Sequence, residues 1–70
     1  MWIRSQDKKI LTEIHDVEID IANQIWGSGS LIGEYSTEEK ALLVLDMIEK
    51  VSMYSGNTLF QMPDDDEVEV

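Results

Sequence analysis

The chain has 70 residues, 15 of them acidic and 5 basic, giving a net charge of −10, with no cysteine and a single histidine. Such a length allows one small domain, which buries only about 60% of its unfolded surface and so holds a marginal core. The composition excludes disulfides, thiolate metal sites and a thiol nucleophile, makes a histidine-based zinc site improbable, and leaves self-association as the available reinforcement.

The charge is uneven. Residues 1–62 carry a net −5, and the short segment 63–70 carries the other −5. A surface of this sign disfavours direct binding to nucleic acid phosphates, while a positively charged partner is compatible with it. No basic-then-apolar leader opens the chain. The longest apolar run, 41–45, is far short of the roughly 20 residues of a membrane span. The expectation is a cytoplasmic protein with no membrane attachment.

Met1-Trp2-Ile3-Arg4-Ser5-Gln6 reads as a first strand, closed by the polar turn Asp7-Lys8-Lys9. The stretch 10–15 fits a strand or a compact bend, and periodicity does not separate the two. Val17, Ile19 and Ile21 then alternate with Glu18 and Asp20, the pattern of a strand with one apolar face. A turn around 22–24 leads into a third strand at 24–26, and Gly27-Ser28-Gly29-Ser30 is a loop signal. Leu31-Ile32-Gly33-Glu34-Tyr35 is a further strand, in which Gly33 marks a bulge or a close backbone approach.

Ser36 with Glu39 forms an S-x-x-E pattern, each side chain able to satisfy the other's backbone N–H at a helix start. The helix is expected over 37–54, stopped by Ser55-Gly56-Asn57. Spacing of 100° per residue puts Ala41, Val44, Leu45, Ile48 and Val51 on one stripe, and Leu43, Met47 and Tyr54 on an adjoining strip. The apolar arc reaches roughly 200°, more than one core contact needs. Residues 58–62 read as a last strand ended by Pro63, and 63–70 as an acidic, disordered tail. The expected fold is α+β: a small antiparallel sheet of four to five short strands with one amphipathic helix packed on one face, ordered β-β-β-β-α-β, in a single domain over 1–62.

The opening string Met1-Trp2-Ile3-Arg4-Ser5-Gln6-Asp7 is unusual. With Leu31-Ile32-Gly33-Glu34-Tyr35-Ser36 running into Glu39-Lys40-Ala41-Leu42-Leu43-Val44-Leu45-Asp46, and with Phe60-Gln61-Met62-Pro63, it resembles small uncharacterised proteins of Firmicutes and their phages and prophages. The three blocks span most of the folded body in the same order. The chain differs from many such proteins in being shorter between its strands. The resemblance implies a phage or mobile-element setting, hence host cytoplasm, and brings no activity, cofactor or catalytic residue.

Trp2 and Arg4, two apart on a strand, share a sheet face. An indole beside a guanidinium suits stacking on a base while holding a phosphate, and Trp26 and Tyr35 would complete a nucleotide-type surface. Packing at the core edge is the plainer role for Trp2. Asp16, Glu18 and Asp20 have the oxygen chemistry of a cation site, but one straight strand does not wrap an ion, and a solvated face is the better account. His15 and Ser5, Ser28, Ser30 and Ser55 lack the neighbours of a nucleophilic site, and G-S-G-S lacks the phosphate-loop lysine. No metal, cofactor or enzymatic chemistry is expected.

The second helix strip, Leu43, Met47 and Tyr54, together with Leu42 and Met53 on the polar side, fits a contact with another copy of the chain, most simply by two-fold symmetry. The reading is a non-enzymatic, homo-oligomeric binding module, a phage accessory protein that sequesters a host nucleotide-type signal or a host protein in counter-defence. Two alternatives stand beside it: an acidic inhibitor that mimics nucleic acid on a basic host protein, and a structural or interaction protein without a ligand.

Overall fold

The computed structural model describes residues 1–53 and 58–70. Along the chain come β1 (Trp2–Arg4), β2 (Leu11–Glu13), β3 (Val17–Ile19), β4 (Gln24–Gly27), β5 (Ser30–Glu34), α1 (Glu38–Ser52) and β6 (Leu59–Gln61), then a 3-10 turn at Asp65–Glu67. The fold is α+β, and the ambiguous stretch 10–15 contains a strand. The strands divide into two sheets of three instead of forming one. In the first, β1 is central, antiparallel to β2 and parallel to β6. In the second, β3, β4 and β5 form an antiparallel meander.

Local chemistry explains where the strands stop. Asp20 ends β3 because its Oδ1 accepts the N–H groups of Ala22 at 2.9 Å and Gln24 at 3.0 Å, folding the chain into a turn. Ile21, expected on the strand, therefore stands in the turn. The loop expected over 27–30 contracts to Ser28 and Gly29, whose φ values of 47° and 86° suit a two-residue hairpin. Ile25 pairs with Gly33 and Trp26 with Leu31, which leaves Ile32 as the extra residue of a bulge. A Cβ on Gly33 would lie 3.0 Å from the Tyr35 ring and 3.1 Å from Met62 Cε, so the close approach is present as well.

The helix is capped by Thr37, not Ser36. Thr37 Oγ1 accepts the Lys40 N–H at 3.1 Å. The Ser36 N–H instead donates to Asp65 Oδ1 at 2.7 Å, so the reciprocal S-x-x-E box does not form. Ala41, Val44 and Ile48 are buried, and Leu45 and Val51 are half-buried, as the 100° spacing requires. Ala41, Val44 and Ile48 join Ile3, Ile14, Ile25, Ile32, Tyr35, Met62 and Val68 in one core. The expected stop at Ser55-Gly56-Asn57 lies outside the described residues.

The acidic end does not stand free. Val68 is 2% exposed and belongs to the core. Asp65 accepts the Ser36 N–H and pairs with Lys40 Nζ at 3.3 Å, and Lys40 Nζ also donates to the Asp65 carbonyl at 2.9 Å. One apolar anchor and two donors beside the helix start, the Ser36 N–H and the Lys40 ammonium, thus hold a segment whose charge alone argues for disorder. Val68→Ala removes two buried carbons, so it should destabilise by about 1.5 kcal/mol. Thermal unfolding should then show a melting point lower by about 6–12 °C; an unchanged melting point would mean that the segment contributes nothing.

Candidate functional site

The pairing register of the first sheet sorts its residues into two faces. Ile3, at the centre, is fully buried between half-buried Thr12 and Phe60. On the opposite face, Trp2 lies between Glu13 and Leu59, and Arg4 between Leu11 and Gln61. All six are exposed. Trp2, Leu11 and Leu59 are 43%, 60% and 58% exposed, a concentration of large apolar side chains on one small sheet face. Arg4 Nε donates to the Lys8 carbonyl at 3.0 Å, which pins the start of the guanidinium over the β1–β2 turn. Among the described residues the one ion pair is Lys40–Asp65, and neither Arg4 nor Glu13 forms an ion pair with another of them.

The turn beneath this face is well anchored. Ser5, 2% exposed, donates its hydroxyl to Asp7 Oδ1 at 2.6 Å and accepts the Ile10 N–H at 3.0 Å. The Ser5 hydroxyl and then the Lys9 amide hold the Asp7 carboxyl below its ordinary range. A serine so engaged is a turn element, not a nucleophile. His15 is exposed, and its backbone N–H donates to Ser28 Oγ at 3.0 Å. Ser30 lies half-buried at the start of β5, and Ser55 is outside the described residues.

The four residues expected to form a nucleotide-type surface are separated. Trp2 and Arg4 share the outer face, as their spacing requires. Trp26 sits in the other sheet, half-buried, with its Nε1–H donating to Asp20 Oδ2 at 2.9 Å. Tyr35 is buried, its hydroxyl donating to the Pro63 carbonyl at 2.7 Å. Burial, with the carboxylates of Asp64, Asp65 and Glu67 nearby, raises the Tyr35 pKa far above the ordinary phenol value, so the hydroxyl stays a donor. Both rings serve the fold, and neither reaches the Trp2 face as an open ligand platform.

Asp20 also leaves the acidic trio. Its carboxylate accepts the Trp26 indole N–H and the turn amides, which hold its pKa below the ordinary value. Only Asp16 and Glu18 remain exposed as a solvated face should be. Among the described residues no group of three or more histidine, aspartate and glutamate side chains is placed to hold a metal ion. No helix among them is long and apolar enough to cross a membrane.

The helix residues expected at an interface fall on different sides. Leu43 is half-buried and packs against the chain's own core, while Met47 is exposed at the margin of the buried arc. Leu42 and Met53 are exposed on the outer side, and Tyr54 lies outside the described residues. The sheet face of Trp2, Leu11 and Leu59 escaped sequence reasoning because β1–β6 pairing joins residues 57 positions apart in the chain. The only local signal was the Trp2–Arg4 spacing. Comparison with protein-family models, curated proteins and solved structures finds no match for the chain.

The Asp65 carboxyl is held low chiefly by the Ser36 N–H, then by Lys40. A depressed folded-state pKa stabilises fully above the ordinary value of 3.8 and is lost as pH falls through the lower folded value. Asp7 and Asp20 share this sign. Urea midpoints should therefore hold steady from about pH 7 to 5 and fall below pH 3.8, and Asp65→Ala should shrink that fall. An unchanged acid profile in the variant would remove Asp65 from the account.

Proposed function

We propose that the protein is a non-catalytic binding module that self-associates through the outer face of the β2–β1–β6 sheet. The observation that carries this reading is the exposure of Trp2, Leu11 and Leu59 together on one face, beside a cation, Arg4, and an anion, Glu13, that form no ion pair among the described residues. Two-fold packing of that face against a second copy would bury the three apolar side chains and set Arg4 of each copy against Glu13 of the other. A core at the lower size limit gains most from such burial. The helix strip is the weaker candidate for this contact, since Leu43 is already used by the chain's own core.

The phage or prophage setting implied by the sequence resemblance makes this an accessory protein acting in the host cytoplasm. Counter-defence by sequestering a host component is a role a catalytically inert dimer can fill. The dispersal of Trp2, Trp26 and Tyr35 favours a host protein over a nucleotide-type signal as that component. The acidic, nucleic-acid-mimicking reading gains from one observation. Docking by Asp65 and Val68 holds the neighbouring carboxylates of Asp64, Asp66 and Glu67 near fixed positions, as phosphate mimicry needs.

Sedimentation over a concentration series tests the self-association. The weight-average mass should rise from the 8.0 kDa of one chain toward twice that value. Arg4→Glu should return it to monomer, and adding Glu13→Arg should restore the dimer. A mass fixed at one chain at every concentration, or a dimer indifferent to Arg4→Glu, would contradict the proposed face.

A further inference from the structure

The turn between β3 and β4 holds a large apolar side chain in open water. Ile21 is 105% exposed, so its own domain makes no use of it. Its position is nonetheless fixed. Asp20 accepts the Ala22 and Gln24 amides and the Trp26 indole through its carboxylate, and the Asn23 amide through its carbonyl at 3.2 Å. Across from Ile21 stand exposed Leu42 and half-buried Leu45 of α1, with half-buried Ile19 at the floor. These four residues, with Asp20 and Glu38, line an open cleft of about 580 Å³.

The lining contains two acids and no base. The helix continues the same pattern beyond the cleft. Glu38, Leu42, Leu45, Glu49 and Met53 follow one another at spacings of four, three, four and four residues, which places them along one line of α1. Leu42 and Leu45 are thus bracketed by exposed carboxylates at both ends. A second copy is a poor occupant. Two-fold packing here would bring the Glu38 and Asp20 carboxylates of both copies together, and like charges across an interface repel. Lys40, the nearest cation on the helix, is committed to Asp65.

We propose that this cleft binds a cationic amphipathic helix of a partner protein, its apolar side chains entering between Ile21 and the Leu42–Leu45 strip and its Lys or Arg side chains meeting Glu38, Glu49 and Asp20. An amphipathic helix offers anchors at the i, i+3, i+4 and i+7 spacing that an apolar groove reads. The opposite charge supplies the steering and the register. The site lies apart from the Trp2 sheet face, so it goes beyond the self-association reading and does not depend on it.

The probe is a synthetic Leu/Lys amphipathic peptide of about 18 residues, five helical turns, titrated into the isotope-labelled full chain, with a matched peptide carrying Glu in place of Lys. The Lys peptide should give saturable shifts at the amides of residues 19–22 and 38–45, and the Glu peptide should not. Ile21→Ser, at a fully exposed position, should leave the melting temperature unchanged and weaken the Lys peptide about tenfold or more. Glu38→Lys should weaken it as well, and added salt should reduce the affinity. Trp2→Ser, on the separate sheet face, should leave peptide binding intact. The proposal is overturned by absence of binding, by equal affinity for the Glu peptide, by unchanged affinity in Ile21→Ser, or by shifts confined to the Trp2 face. Concentration-dependent shifts at the cleft without peptide would give the site to a second copy and overturn it too.

Discussion

One side chain stands where a strand would be expected. Gln6 Oε1 accepts the Glu34 N–H at 2.8 Å while its Nε2 donates to the Glu34 carbonyl at 3.0 Å, so a single carboxamide satisfies both backbone groups of the last residue of β5. The Gln6 N–H also donates to the Ile32 carbonyl at 2.8 Å, and Nε2 reaches the Pro63 carbonyl at 3.3 Å, which also takes the Tyr35 hydroxyl. The end of β1, the edge of β5 and the chain after β6 meet at this residue. Strands of three to five residues in sheets of three are marginal by themselves. Gln6 lets two such sheets share one core without a continuous ladder between them.

The two candidate surfaces follow from that arrangement. With β1 turned inward through Ile3 and sutured at Gln6, Trp2 and Arg4 must face out. The parallel partner β6 then adds Leu59 and β2 adds Leu11 to the same face. On the second sheet the helix covers the core through Ala41, Val44 and Ile48, leaving Leu42 on its outer side opposite the rigid Asp20 turn. The acidic segment 64–70 is held at the helix start through Asp65, by the Ser36 N–H and Lys40. Size limits the core, and of the large apolar side chains left exposed, Trp2, Leu11 and Leu59 gather on the sheet face and Ile21 and Leu42 at the cleft.

Where interactions are local, the sequence is a good guide. The helix, its buried stripe, the Ser28–Gly29 turn and the bulge beside Gly33 all follow from spacing and from backbone preferences within a few residues. The failures are long-range or hidden by composition. Ser36 and Thr37 are both good caps; Thr37 caps the helix, and Asp65, far along the chain, takes the Ser36 N–H that the S-x-x-E box would give to Glu39. The alternation of Val17, Ile19 and Ile21 continues past the strand's true end, though Asp20 and Asn23 carry the turn chemistry that ends it. Five acids in the last segment masked the one anchor, Val68. The Gln6 joint, like the β1–β6 pairing, has no local signature at all.

Native-state amide hydrogen exchange tests the joint most directly. Glu34 is an exposed residue at the end of an edge strand, and its amide would exchange freely if only solvent faced it. With Gln6 Oε1 as its acceptor, it should exchange as slowly as the amides of the β4–β5 ladder, and the amides of both sheets should open together as one cooperative unit. Rapid exchange at Glu34, or two sheets opening at separate free energies, would contradict the account.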